Sequence, residues 1–149
     1  VKVARNIVAD YGGQVPDDEE SLRELPGVGD FVARAVLTFG FGRAAVLYDN
    51  TSARVVQRLR LQSESHRHQL RIDLYRLSGT DGPDPAFNRA VLDLGRTVCR
   101  SDEPLCDQCP LASFCATATE RLPGEIVAVD ANRVTRAQQA LPLAGLNAA

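Results

Sequence analysis

All four cysteines of this 149-residue chain fall inside seventeen residues, at Cys99, Cys106, Cys109 and Cys115. The spacing is C-x6-C-x2-C-x5-C. A segment so dense in thiols folds around one shared object or cross-links itself. An iron–sulfur cubane needs four convergent thiolates, one per iron, and loops of six, two and five residues can wrap one. Structural zinc also takes four thiolates, but usually through two C-x2-C knuckles. Only Cys106 and Cys109 form such a knuckle here. Disulfides suit small secreted scaffolds, and the opening residues, Val1-Lys2-Val3-Ala4-Arg5-Asn6, resemble no secretory leader. On residue chemistry alone cluster, zinc and disulfide all stay open.

The rest of the chain is ordinary in balance, with 44% hydrophobic and 24% charged residues, so a packed domain is within reach. Aromatics supply only 5%, which leaves the core to Val, Leu, Ala and Ile. The absence of Met and the start on Val read as a fragment, or as a frame opened at an unusual start codon. No apolar run approaches the roughly 18–20 residues of a membrane span, and a cytoplasmic protein is expected. A net charge of −2 argues against a broadly basic nucleic-acid binder. The charge is uneven, however. Residues 30–76 carry +4, through Arg34, Arg43, Arg54, Arg58, Arg60, Arg67, Arg71 and Arg76 against four acids, and the segments on either side carry −3 each. That middle third reads either as an anion-facing surface or as solvated helix faces.

Apolar periodicity predicts an all-α chain. The first helix runs over 1–11, with apolar residues at 1, 4, 7, 8 and 11. A short acidic helix starts near Pro16 and ends at Leu25-Pro26. After Gly27-Val28-Gly29, Asp30 is expected to cap a helix through Phe39. Residues 44–48 are extended or looped. Further helices are expected over 53–61, 66–77 and 85–98, with Arg54 and Arg58 on an exposed face. Residues 121–149 are expected to be partly disordered or weakly helical.

Two short motifs carry chemistry. Leu25-Pro26-Gly27-Val28-Gly29 joins two helices, and its glycines leave backbone bare at a helix N-terminus. Such amides form an anion site that suits a phosphodiester; the plainer reading is a helix–turn–helix corner. Asp49 opens a helix after an apolar stretch. It is either an N-cap or a carboxylate at the mouth of a cleft, able to stabilise an oxocarbenium ion or activate water.

Taken in order, these segments resemble the helix-hairpin-helix DNA glycosylases with an iron–sulfur cluster, the family of endonuclease III, adenine DNA glycosylase and the thymine mismatch glycosylases. Leu25–Gly29 looks like the family's hairpin. Tyr48-Asp49-Asn50-Thr51-Ser52-Ala53-Arg54-Val55 looks like its catalytic-aspartate segment. Phe87-Asn88-Arg89-Ala90-Val91-Leu92-Asp93-Leu94-Gly95 resembles the helix leading to the cluster, nearer the adenine glycosylase branch. The four cysteines match the family's cluster spacing. The likeness runs from about residue 1 to 117.

The resemblance implies the C-terminal part of a six-helix barrel with the hairpin over residues 1–47, an iron–sulfur helical domain over 48–120, and a tail over 121–149. It implies a 4Fe-4S cluster on Cys99, Cys106, Cys109 and Cys115. It places DNA phosphate against Gly27, Val28, Gly29 and Phe31, with a monovalent cation at the hairpin, and gives Asp49 the catalytic role. The implied partner is double-stranded DNA with a mispaired or damaged base, bound by a monomer at the nucleoid, its target nucleotide extruded into a pocket. The cluster would fold a loop against DNA in which Arg100 is the only nearby cation. Bifunctional members carry a Schiff-base lysine two residues after the last hairpin glycine. Phe31 stands there, so a monofunctional enzyme is expected. The family's earlier barrel helices would lie before Val1. An inactive DNA-binding remnant and a metal-stabilised interaction module without a DNA role are the alternatives.

Overall fold

The computed structural model describes residues 2–60, 67–79 and 82–124. Among these residues every element is helical and none is a strand. Helix α1 (Lys2–Tyr11) packs by Val3, Ile7 and Tyr11, spaced four apart along one face. The sequence pattern had included Ala4 and Val8 in that stripe; both are exposed, Val8 at 67%. Helix α2 (Glu19–Glu24) is short and begins three residues after Pro16. Its cap is Asp18, whose carboxylate accepts from the Ser21 amide at 2.8 Å. That bond holds the exposed Asp18 carboxyl below the usual carboxylate range.

Helix α3 (Asp30–Ala35) follows the glycine turn. Its N-cap is Gly29 rather than Asp30, which lies inside the first turn and pairs with Arg23 at 3.1 Å instead. The helix then widens into a π turn over Val36–Gly40. Leu22, Leu25, Ala33 and Leu37 form the core of this half, with α1 laid against it.

The connecting segment 41–49 leads to a second helical group. Helix α4 (Asn50–Arg60) pairs with α5 (Arg67–Leu77) and crosses α6 (Pro85–Thr97). Ala53, Val56, Leu70 and Leu74 form its core, with Val46, Tyr48, Phe87 and Val91 packed on them. Between α4 and α5, Arg60 meets the fully buried Asp73 at 2.9 Å, and Gln69 donates to the same carboxylate oxygen at 3.1 Å. Two 3-10 turns, Cys106–Gln108 and Ala112–Phe114, shape the cysteine loop. Helix α7 (Ala116–Arg121) returns to α4, where Thr117 Oγ1 donates to Arg58 O at 2.7 Å. Of the expected tail over 121–149, the part beyond Gly124 lies outside the described residues. No described helix is long and apolar enough to cross a membrane.

Candidate nucleic-acid interface and cysteine cavity

The glycine turn is built from opposite requirements at its two ends. Gly27 sits at φ +82°, in the left-handed region that L side chains rarely adopt. Gly29 has φ −98°, open to any residue, and a Cβ built there meets nothing within 4 Å. Nothing within the chain therefore demands glycine at 29. The Val28 amide is taken by Leu25 O at 3.1 Å, and the Ala33 amide by Gly29 O at 2.9 Å. Gly29 offers no side-chain cap, so the first-turn amides of α3 lack an intrahelical partner. Phe31 is half-buried just inside that turn.

Asp49 and Ser52 cap α4 reciprocally. Asp49 Oδ1 accepts from the Ser52 amide at 2.7 Å, while the Asp49 amide donates to Ser52 Oγ at 2.9 Å. This is a capping box with aspartate and serine in the two places. The arrangement commits one oxygen of the half-buried carboxylate and leaves Oδ2 outside the cap. The cap and the reactive-acid readings of Asp49 are thus compatible in one side chain.

Arg54 and Arg58 lie on one face of α4, and that face turns inward to the cysteine loop, not outward as the periodicity suggested. Arg54 donates to Gly95 O at 2.8 Å and to Cys99 O at 3.1 Å. Arg58 donates to Arg100 O, to Ser101 O at 2.7 Å and to Cys99 Sγ at 3.6 Å. Arg100 is therefore not the only cation at the loop. Partners inside the chain also occupy most of the arginines behind the central +4. Arg34 meets Glu19, Arg43 meets Asp17, Arg60 meets Asp73, and Arg67 lies 5.5 Å over the Tyr48 ring. Much of that charge is spent on folding.

All four cysteines line one concavity of about 270 Å³, measured out to its open mouth. Val98, Pro104, Leu105 and Ala118 supply apolar wall, and Arg58 lies at its side. Among the described residues no three His, Cys, Asp or Glu side chains group tightly enough to hold one metal ion. Four thiols around one cavity are the number that either a polynuclear iron–sulfur cluster or a structural zinc takes. Burial pushes the Cys109 and Cys115 thiols up, loop amides oppose it, and neighbouring cysteines push them further. Cationic iron between the sulfurs would remove that cost, so the donor set suits the group.

The sequence pattern located the glycine turn, the Asp49 cap and the cysteines that line one cavity. It missed Arg54 and Arg58 as ties to the loop, Asn88, and Gly95. Gly95 carried a signal: it is a glycine inside a helical pattern. A Cβ there would stand 2.3 Å from Thr51 Cγ2 and 3.2 Å from Val55 Cγ2, so α4 crosses α6 with no clearance.

The regular elements of the described residues are all helical, with a glycine turn between two short helices and four thiols around one cavity, and their fold is that of the endonuclease III structures. No protein-family model matches the chain. Thymine-DNA glycosylase of Aeropyrum pernix is 38% identical over 122 residues, covering 77% of this chain and 54% of that protein. Human adenine DNA glycosylase is 38% identical over 118 residues, covering 75% of this chain and 21% of its own length. The solved structure of a non-covalent endonuclease III–DNA complex superposes with a TM-score of 0.69 at 27% identity, covering 80% of this chain and 56% of that one. Over that matched stretch the chain is homologous to the thymine, adenine and endonuclease III glycosylases, and it spans about half the length of its thymine-glycosylase and endonuclease III relatives.

Proposed function

We propose that this chain is the acid- and cluster-bearing portion of a monofunctional DNA N-glycosylase. It would hydrolyse the N-glycosidic bond of a mispaired or damaged base in double-stranded DNA. The observation that carries this reading is Asp49, with one carboxylate oxygen fixed in the α4 cap and the other left outside it. A carboxylate so placed can stabilise positive charge developing on the sugar and orient the attacking water. The glycine turn would hold a backbone phosphate through the α3 amides, a contact without base information. Cys99, Cys106, Cys109 and Cys115 would hold a 4Fe-4S cluster, which when bound supplies a rigid four-point cross-link for the loop. Phe31 in place of an imine-forming amine supports the monofunctional reading.

The test is incubation of the purified iron-containing chain with duplexes carrying thymine or uracil opposite guanine, or adenine opposite guanine. Alkali-labile abasic product is expected from one of them, with no borohydride-trapped covalent adduct. A trapped adduct would overturn monofunctional chemistry. Absence of abasic product from folded, iron-loaded protein on all three duplexes would overturn the mispaired-base reading.

The bare position at the hairpin gives a second expectation. Gly29→Ala should change stability by no more than about 1 kcal/mol, the range of N-cap replacements. Binding to a duplex with a tetrahydrofuran abasic analogue should weaken about tenfold, as expected when a hydrogen bond to a charged group is lost. Fluorescence anisotropy and thermal melting measure the two; unchanged binding would remove the hairpin from the interface.

A further inference from the structure

We propose that Asn88 is a positioning residue for the Asp49 carboxylate, acting through the backbone of residues 45–47. The proposal rests on the reading of Asp49 given above. Segment 41–49 has no regular hydrogen-bonding ladder of its own; Val46, Leu47 and Tyr48 pack their side chains inward, but the backbone polar groups leading to Asp49 need partners from elsewhere. Asn88 supplies them. It stands on α6, is 3% exposed, and its Oδ1 accepts the Leu47 amide at 3.1 Å. Its Nδ2 donates to Ala45 O at 2.9 Å, Pro83 O at 2.8 Å and Asp84 O at 2.9 Å. An amide has two hydrogens, so three acceptors require one to be shared. The Ala45 amide adds a backbone bond to Pro83 O at 3.2 Å. One side chain thus splints the connecting segment onto the start of α6.

Two residues beyond Leu47, the Asp49 amide is fixed from the opposite direction by Ser52 Oγ. The Asp49 carboxylate is held in turn by the Ser52 amide on Oδ1, so both the backbone and the side chain of Asp49 are anchored on its C-terminal side. Asn88 does not touch Asp49, and its effect reaches the carboxylate only through the intervening backbone. Removing its amide frees Leu47 N and Ala45 O and lets the segment drift. A displacement of about 1 Å at a reacting group is enough for a loss near 100-fold.

The experiment combines amide hydrogen exchange by NMR with single-turnover excision and abasic-analogue binding, on the full iron-containing chain. In the unaltered chain the Leu47 amide should exchange as slowly as the amides of central α6. Asn88→Ala should speed exchange at Leu47 and Asp49 and lower the excision rate about 30–100-fold. Iron content should be unchanged and tetrahydrofuran-duplex binding should stay within about threefold. Fast exchange at Leu47 in the unaltered chain overturns the proposal even if the variant does not fold. Excision within about threefold of the original overturns it too, as do excision and binding lost in proportion to folded protein. An unaltered chain that excises none of the three mismatched bases defeats the mispaired-base reading, and the exchange rates at Leu47 and Asp49 then decide the splint alone.

Discussion

Asp49→Asn is expected to reduce excision about 10²–10⁴-fold, the range for losing a positioned acid–base group or a preorganised charge. The substitution is informative because asparagine caps helices about as well as aspartate. Its side-chain oxygen can still accept the Ser52 amide, and its own amide can still donate to Ser52 Oγ. Stability should therefore move by less than about 0.5 kcal/mol, and abasic-analogue binding should stay within a few-fold. Single-turnover excision, thermal melting and anisotropy separate the possibilities. If excision survives, Asp49 is a helix cap and the acid lies elsewhere. If melting, binding and excision fall together, the residue is structural.

Gly95→Ala is expected to be the most damaging single methyl in the second helical group. The added Cβ would fall 2.3 Å from Thr51 Cγ2, and Thr51 is β-branched, with little freedom to turn aside. Val55 Cγ2 lies 3.2 Å away and would have to give as well, whereas Thr51 O at 3.4 Å stays in ordinary contact. Overpacking of this kind costs about 1–3 kcal/mol. Parting the two helices to relieve that side-chain clash would pull on Arg54, whose guanidinium is bonded to Gly95 O, and on the Asp49 cap two residues from Thr51. Melting temperature and excision should both fall. Thr51→Ala in the same chain removes the offending methyl and should recover much of the lost stability, so a double-mutant cycle should show strong coupling. A Gly95→Ala protein as stable as the original would mean the crossing is looser than it stands here.

What the sequence disclosed and what it hid divide by the range of the interaction. The cysteine spacing, the hairpin glycines and the Asp49 cap all lie within a few residues of their partners, so each was readable as a local pattern. Asp49 was in view as a cap, though neither its Ser52 partner nor the way the cap divides the two carboxylate oxygens was. Arg54 and Arg58 showed a helical i, i+4 pair and nothing of their target, because they bind backbone carbonyls more than forty residues away that no side-chain pattern encodes. Asn88 was hidden for the same reason, as all four of its bonds go to main-chain atoms. Asp30 looked like a cap because aspartate usually is one, but glycine took the place and the carboxylate turned to Arg23. The +4 over residues 30–76 was a true count, yet it described internal ties more than an outward field.

Helix α4 bears Asp49 at its first cap and Arg58 near its last turn, beside the thiols. Its 11 residues make a rod about 16 Å long. The separation of acid and cavity is thus a ruler length, counted in residues and indifferent to loop entropy. One residue inserted within that rod would lengthen it by about 1.5 Å and swing one end about 100° around the axis relative to the other. The acid and the cavity could not then both keep their present neighbours, so this stretch of chain admits substitutions but has no room for a change of length.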